Sequence, residues 1–514
     1  MHSLLWVLVY RRSTVKLNQS NLEAIKEEAS AKLSEGSTFS IPTYDRKNLK
    51  PSIVHFGVGG FHRAHQAMYL DELLNKGETT FAIAGMGVLP HDVKMRDVLK
   101  EQDYLYTLIA RDPQGNEDIR VIGSIVDYVW TPEDPAGAVE YLAQENIKIV
   151  SLTVTEGGYN FNQVTHEYDL TTPAVAEDLK DPENPRTTFG LVVQALKLRR
   201  ERGIAPFTVM SCDNIQANGH LASKMFTAHA RALDPELASW IEENVPFPNS
   251  MVDRITPATT DDDRAYVAKK LGYEDGWPVV TEDFIQWVLE ENFADERPAY
   301  EKVGVQVVDD VEPYEKLKLR MLNSSHQGLC YFGHLAGYHY VDDAVNNPLI
   351  EELLLRYMRE EAMPTLDELP DTNVDQYAKT LIERFTNEAI KDTVPRLCAE
   401  SSDRIPKWLM PVVFDNLKDG GKVELSAAIV ASWARYAEGT DEKGEAINIV
   451  DNAEKKVRVA AQAQLSDDEL AFLCDKDFFG DVVNDEHFTK PYLETLRSLH
   501  RVGSIKTLEK ILGK

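Results

Sequence analysis

The spacing of apolar residues changes once along this chain. As far as about residue 300, short apolar runs alternate with stretches of helical period, and beyond about Val311 long amphipathic stretches take over. In the first part, Ser52-Ile-Val-His-Phe56 breaks into Gly57, Gly59 and Gly60 and is followed by a helical pattern through Met68, Leu70 and Leu73. A second run, Phe81 to Met86, leads to Gly87 and a helical pattern from Val93 to Gln102. Ile147 to Val154, flanked by Glu156-Gly-Gly158, reads as a buried strand, and Pro206 to Cys212 as another ending in Asp213-Asn214, with a helical stretch from Leu191 to Arg202 between them. Such alternation predicts a parallel, doubly wound sheet of the α/β class, whose ligands sit at the carboxyl ends of its strands.

In the second part, Ile350 to Glu361, Val374 to Phe385 and Val423 to Tyr436 predict a mostly α-helical domain. Ser466-Asp-Asp-Glu469 reads as a capping box opening a helix, not as a metal site. The expected organisation is an N-terminal extension over 1–40, a Rossmann-type domain over 41–310 and a helical C-terminal domain over 311–514. Within the extension, Leu4 to Tyr10 is too short to cross a bilayer and lacks the flanks of a signal peptide. Arg11 and Arg12 follow it, which leaves open a membrane-contacting or targeting segment beside a disordered start.

Composition narrows the partners. The 514 residues, 43% of them hydrophobic, suffice for two large domains or three small ones. A formal net charge of -29 argues against a nucleic-acid partner, whose phosphates need clustered Lys and Arg, and favours a monomer. Cys212, Cys330, Cys398 and Cys474 are far apart without a CxxC pair, so neither a disulfide framework nor a structural zinc site is expected, and a reducing, cytoplasmic setting fits. A small-molecule partner, with no membrane and no metal, is the expectation.

The glycine turn supplies the first chemistry. Glycines after a first strand let a dinucleotide pyrophosphate approach the backbone at a helix N-terminus, which makes Gly57, Gly59, Gly60, Phe61 and His62 candidate cofactor contacts. The usual third glycine is replaced by His62, so a ligand-free turn remains the alternative. Asp92 lies 35 residues beyond Gly57, where an acid accepts hydrogen bonds from the adenosine ribose and repels a 2′-phosphate. NAD is therefore expected rather than NADP, unless Asp92 only caps its helix. Thr153, Thr155, Glu156 and Asn214 fall at strand ends where ligands bind, although Asn is also a common turn former.

The second chemistry lies in Lys318-Leu-Arg-Met-Leu-Asn323-Ser-Ser-His326. On a uniform α-helix Glu315, Lys318, Asn323 and His326 fall within an arc of about 140°. A lysine, an amide, an imidazole and a carboxylate facing one cleft are the parts of a metal-free alcohol dehydrogenase, and the bland alternative is the polar side of an amphipathic helix. A cleft between the two domains would bring this set to a nicotinamide held by the first.

Gly57-Val-Gly-Gly-Phe-His-Arg-Ala-His65, Thr153-Val-Thr-Glu-Gly-Gly-Tyr159, Ser211-Cys-Asp-Asn214, Pro248-Asn-Ser-Met-Val-Asp-Arg254 and Lys318-x-x-x-x-Asn323-x-x-His326 occur in that order. Together they resemble the motif set of the polyol-specific long-chain dehydrogenases, from about Ile41 to the C-terminal end. The resemblance implies an NAD-linked, zinc-independent oxidoreductase interconverting D-mannitol and D-fructose. It implies Lys318 as general acid/base, Asn214 and Asn323 as donors to the oxyanion, and His326 as a substrate-positioning group. Asp253 and Arg396 match positions that hold the polyol chain, and Glu315 one that gates proton exit. Two other readings stand beside it: a related fructuronate reductase or arabinitol dehydrogenase, with Arg396, Arg404 or Lys407 as the cation for a carboxylate substrate, and a non-catalytic NAD-binding sensor.

Overall fold

Ile53–Phe56 (β1) is buried at every position and runs straight into glycines, so it forms a short central strand and stops. In the computed structural model, which describes residues 15–162, 167–369, 372–466 and 468–514, it is the middle of a five-stranded sheet. Its partners are Ile83–Gly87 (β2), Ile125–Trp130 (β3), Ile149–Leu152 (β4) and Thr208–Ser211 (β5). The spatial order is β3-β2-β1-β4-β5, with every pair parallel. This is the Rossmann order, and its sequence direction reverses between β1 and β4. Phe56 stands opposite both Met86 and Leu152, and Leu152 opposite Ser211, so the carboxyl ends of the four strands β2, β1, β4 and β5 line up on one edge.

The crossovers are helical. Gln66–Asn75 follows β1, Asp92–Glu101 follows β2, Pro135–Leu142 precedes β4 and Thr188–Glu201 precedes β5. Side-chain caps from Asp134 to Gly137 N–H and from Thr187 to Gly190 N–H fix where the last two begin. The sheet is buried on both faces: Val54, Phe56, Leu152 and Val209 enter one apolar cluster, and Ile53, Ile149 and Met210 another.

Two further sheets go beyond the alternation read in the sequence. Between β2 and β3 the chain forms an antiparallel hairpin, Tyr106–Arg111 with Glu117–Ile122, which joins Val279–Glu282 and Thr38–Ser40 in a four-stranded sheet. Its turn is set by Asp112, which accepts from Gln114 and Asn116 N–H, and by Gly115 at φ +84°. Ser250–Asp253, Gln286–Glu290 and Gln306–Val308 make a three-stranded sheet. Residues 15–40 also carry structure. Val15–Lys16 pairs in parallel with Tyr273–Glu274, and helix Leu22–Ser30 buries Leu22, Ile25 and Ala29 against Ile109, Ile119 and Leu271. The run Leu4 to Tyr10 and its two arginines lie outside the described residues.

The chain divides into two compact units, Met1–Val311 and Glu312–Lys514. The second is helical, as the long amphipathic stretches predict. Val374–Phe385 is a helix, the Val423 stretch is helix Glu424–Ala437, and the Ile350 stretch is helix Pro348–Tyr357 followed by a π-turn over Met358–Ala362. Trp433 anchors the core against Phe472 and Phe479. The reading of Ser466-Asp-Asp-Glu469 as a helix start is corrected. The Ser466 hydroxyl donates back to Ala463 O at 2.7 Å and closes the preceding turns, Glu469 pairs with Arg497, and a 3-10 turn, Ala471–Cys474, follows. Asp467 itself is outside the described residues. Among the described residues no helix is long and apolar enough to cross a membrane, and no group of three or more His, Cys, Asp or Glu is arranged to hold a metal ion.

Candidate active site

The turn after β1 accepts only glycine at its first position. Gly57 has φ +91°, and a Cβ there would meet Thr153 O at 2.1 Å. The turn is held from β4: Thr153 Oγ1 donates to Gly57 O at 2.7 Å and lies 2.9 Å from His55 Nε2. His55 Nδ1 is 2.8 Å from Ser151 Oγ, so a chain of hydrogen bonds ties β1, β4 and the turn together. If the Thr153 hydroxyl donates to the carbonyl, the His55 proton sits on Nε2 and Ser151 donates to Nδ1. His62 stacks on His55 with centroids 3.4 Å apart and an 11° interplanar angle. Burial lowers the pKa of both imidazoles, His55 to about 3, so the pair is uncharged at neutral pH. Among the described residues neither ring nitrogen of His62 has a hydrogen-bond partner, and the side chain is buried in the place of the usual third glycine. Gly59 and Gly60 open the short helix Gly60–Ala64, and Phe61 stacks on His65 at 4.9 Å.

Thr153 and Thr155 stand at the end of β4, next to β5. Thr155 carries φ +63°, a strained conformation for a β-branched residue. It is held there by Asp213, just past β5, whose carboxylate accepts Thr155 N–H at 2.7 Å, Val154 N–H at 3.2 Å and the Tyr159 hydroxyl at 2.9 Å. Burial pushes Asp213 up to about 6. One side chain therefore ties the Thr153–Glu156 loop to the segment that carries Asn214, which is exposed at the same edge. Asp92 is the first residue of its helix and not the cap, and its Oδ2 accepts Leu89 N–H at 2.8 Å. A Cβ on Gly87 would touch it, so the carboxylate sits at the carboxyl end of β2, where a ribose acceptor belongs.

The expectation of a single α-helix from Glu315 to His326 is corrected. The first helix ends at Lys318 (Glu312–Lys318), a π-turn spans Leu319–Asn323, and Ser324–Leu335 continues as α-helix. Ser324 N–H bonds to Leu319 O, five residues back. A π-turn absorbs one residue, which draws the four side chains from about 140° into an arc of about 80° and brings Asn323 to about 40° from Lys318 around the helix. Lys318 and Asn323 are both 6% exposed, and among the described residues Asn323 Oδ1 has no hydrogen-bond partner. His326 is half-buried with its ring 4.9 Å from Phe385, and Glu315 is half-buried on the first helix.

Asp253 is buried at the end of strand Ser250–Asp253. Arg396 is exposed and makes a bidentate ion pair with Asp392, four residues earlier. Arg404 donates to Leu397 O at 2.9 Å, and Lys407 lies 2.6 Å from Asp403.

Comparison with known proteins bears on both units. The family described as mannitol dehydrogenase Rossmann domain matches residues 51–302, and the mannitol dehydrogenase C-terminal domain matches residues 310–500. A mannitol 2-dehydrogenase of Aspergillus fumigatus is 44% identical over 97% of this chain and 99% of its own length. The chain belongs to the mannitol dehydrogenase family. Another member, mannitol 2-dehydrogenase of Emericella nidulans, is 43% identical over 96% of this chain and 99% of its own. Among solved structures, the Pseudomonas fluorescens mannitol 2-dehydrogenase ternary complex with NAD and D-mannitol is 40% identical with a TM-score of 0.82, covering 97% of this chain and all of that one. A D-sorbitol dehydrogenase in substrate-free form is 37% identical with a TM-score of 0.88, covering 96% and 100%. In this member of the mannitol dehydrogenase family, sequence reasoning passed over His55 and Asp213, which hold the side chains and backbone of neighbouring residues in place. Their signal was position alone, a polar residue inside an apolar strand and an acid directly after one.

Proposed function

We propose that this chain catalyses the reversible NAD-dependent oxidation of D-mannitol to D-fructose, with Lys318 as acid/base and the Asn214 and Asn323 amides as donors to the reacting oxygen. Membership of the mannitol dehydrogenase family supports an NAD-dependent polyol dehydrogenase, and the relatives named mannitol 2-dehydrogenase support the substrate. The observation that carries the mechanism is the π-turn, which brings a buried lysine and a buried amide toward one face of the helix.

The first unit suits NAD: Gly57 leaves the room that a Cβ would fill, the strand ends converge at the switch between β1 and β4, and Asp92 offers a ribose acceptor. Gly57, Gly59, Gly60, Phe61, His62, Asp92, Thr153 and Thr155 would hold the dinucleotide. Bound there, NAD supplies the hydride acceptor for the alcohol carbon. The neutral amine of Lys318 takes the hydroxyl proton during oxidation, and its ammonium returns a proton to oxygen during ketose reduction. Asn214 and Asn323 donate to the oxygen as its negative charge grows, without titrating themselves. Removing one such donor typically costs about 3 kcal/mol, 10²- to 10³-fold in rate. His326 orients the reacting hydroxyl, Asp253 and Arg396 hold the polyol chain, and Glu315 governs the exit of the proton. In this reading lysine and amides fill the role that a Lewis-acid zinc has in other dehydrogenases. The free cysteines support a reducing, cytoplasmic setting.

The likeness to a D-sorbitol dehydrogenase favours a second reading, oxidation of another polyol at the same site. The deciding experiment follows absorbance at 340 nm with D-fructose and NADH, beside NADPH, fructuronate and, in the oxidative direction, D-sorbitol with NAD. Rapid NADH consumption with D-fructose supports D-mannitol as the polyol. Turnover confined to fructuronate or D-sorbitol moves the assignment to those substrates, and inactivity with all of them overturns the catalytic reading.

A further inference from the structure

The first unit contains a cavity of about 340 Å³ bounded by helix Gln66–Asn75, the Tyr106–Ile122 hairpin and the turns at 283–285 and 303–304. Arg254 lines it while being only 6% exposed. Its Nε donates to Glu282 O at 3.1 Å, and its Nη1 donates to Ala64 O at 2.6 Å and contacts Met68 Sδ at 3.1 Å. Among the described residues Nη2 has no partner, and no carboxylate lies within ion-pair distance of the guanidinium. Burial lowers its pKa to about 10, which leaves it charged at neutral pH. Tyr69, 2% exposed, lines the same cavity, and its hydroxyl makes no hydrogen bond among the described residues. Buried charges are as a rule paired, and buried hydroxyls bonded, so two unspent donors at one cavity wall ask for an acceptor from outside the chain.

The rest of the wall restricts that acceptor. Arg120 is committed to Glu72 and Asp118, and Asp283 stands exposed at the rim. Three carboxylates against two arginines would repel a phosphate dianion, and a neutral polyol would leave Arg254 unpaired. A single carboxylate that also carries hydroxyl donors satisfies both halves. The volume lies at the small end of ligand pockets and suits a chain of about six carbons. We propose that this cavity binds a small polyhydroxy carboxylate, with its carboxylate on Arg254 and Tyr69 and its hydroxyls toward Glu72, Asp118 and Asp283.

Isothermal titration of the full-length protein with D-gluconate, without NADH, tests this, beside D-sorbitol as the uncharged counterpart and inorganic phosphate. Arg254→Met strips two backbone carbonyls of their donor and can unfold the unit, so Tyr69→Phe carries the test, since it removes a hydroxyl with no partner among the described residues. Lys318→Ala separates this site from the proposed catalytic one. The expected result is saturable D-gluconate binding that Tyr69→Phe weakens about tenfold or more and Lys318→Ala leaves unchanged. No D-gluconate binding overturns the proposal. So does binding that Tyr69→Phe leaves intact, that Lys318→Ala abolishes, or that D-sorbitol or phosphate matches. None of these outcomes depends on whether D-fructose is turned over.

Discussion

Gly57 shows how much a single residue decides at the turn after β1. Its φ of +91° alone costs a residue with a Cβ about 1–2 kcal/mol, and the 2.1 Å approach to Thr153 O cannot be relieved without moving β4. Gly57→Ala should therefore weaken NADH binding at least tenfold by fluorescence titration, and unchanged affinity would remove the turn from the cofactor site. Asp213 acts one step away. Asp213→Ala frees the N–H groups of Val154 and Thr155, and Thr155 is expected to leave its left-handed conformation. NADH affinity should fall about tenfold while circular dichroism stays native, with Asp213→Asn, which keeps one acceptor oxygen, in between. Lys318→Ala should abolish the rise of oxidation rate with pH and lower the rate by at least about 10², with NADH affinity nearly intact. Loss of NADH binding instead would make Lys318 structural. The sequence nominated Gly57 and Lys318 because their chemistry is intrinsic to the residue type. It hid Asp213, because a carboxylate that works by accepting two amide protons looks the same in a sequence as one that caps a turn.

Elements were legible where one period governed them. Val374–Phe385 falls where its amphipathic pattern starts and stops, and β1, β2, β4 and β5 follow their apolar runs. The π-turns were not legible, since a one-residue excess is invisible to a pattern that tolerates 100° steps. The π-turn over Met358–Ala362 carries a testable consequence. It presents Glu361, fully buried, to the start of helix Glu424–Ala437, where the carboxylate accepts Leu425 N–H at 2.7 Å, Ser426 N–H at 2.8 Å and the Ser426 hydroxyl. Burial outweighs those bonds and pushes Glu361 up to about 7. A folded-state pKa above the unfolded one means that the folded protein binds this proton more tightly. The resulting stabilisation is complete below about pH 4.5 and is lost as pH rises through about 7, a swing on the order of 3 kcal/mol. Glu361→Gln cannot titrate, so its melting temperature should lose this part of the decline between pH 5 and 8. An identical decline in both proteins would show that the proton is not held there.

Over the whole molecule, the two-part organisation was readable because the change of period near Val311 is a property of hundreds of residues, whereas the added sheets of the first unit rest on short strands joined by ordinary turns. Charge is the other property of the whole chain, and it bears on assembly. Acidic residues exceed basic ones, 84 against 55, and the formal charge of -29 sets copies of this chain against one another at long range. A self-associating surface would have to overcome that repulsion at every encounter, and salt would strengthen association by screening it within about 8 Å at physiological ionic strength. The expected state is a monomer, and light scattering coupled to size exclusion should return a mass near 58.0 kDa. The reading should be the same at low salt and at physiological salt. A mass near twice that value at low salt would mean that apolar contact outweighs the charge. A dimer appearing only as salt is raised would mean that the repulsion, rather than the lack of a complementary surface, keeps the chain single.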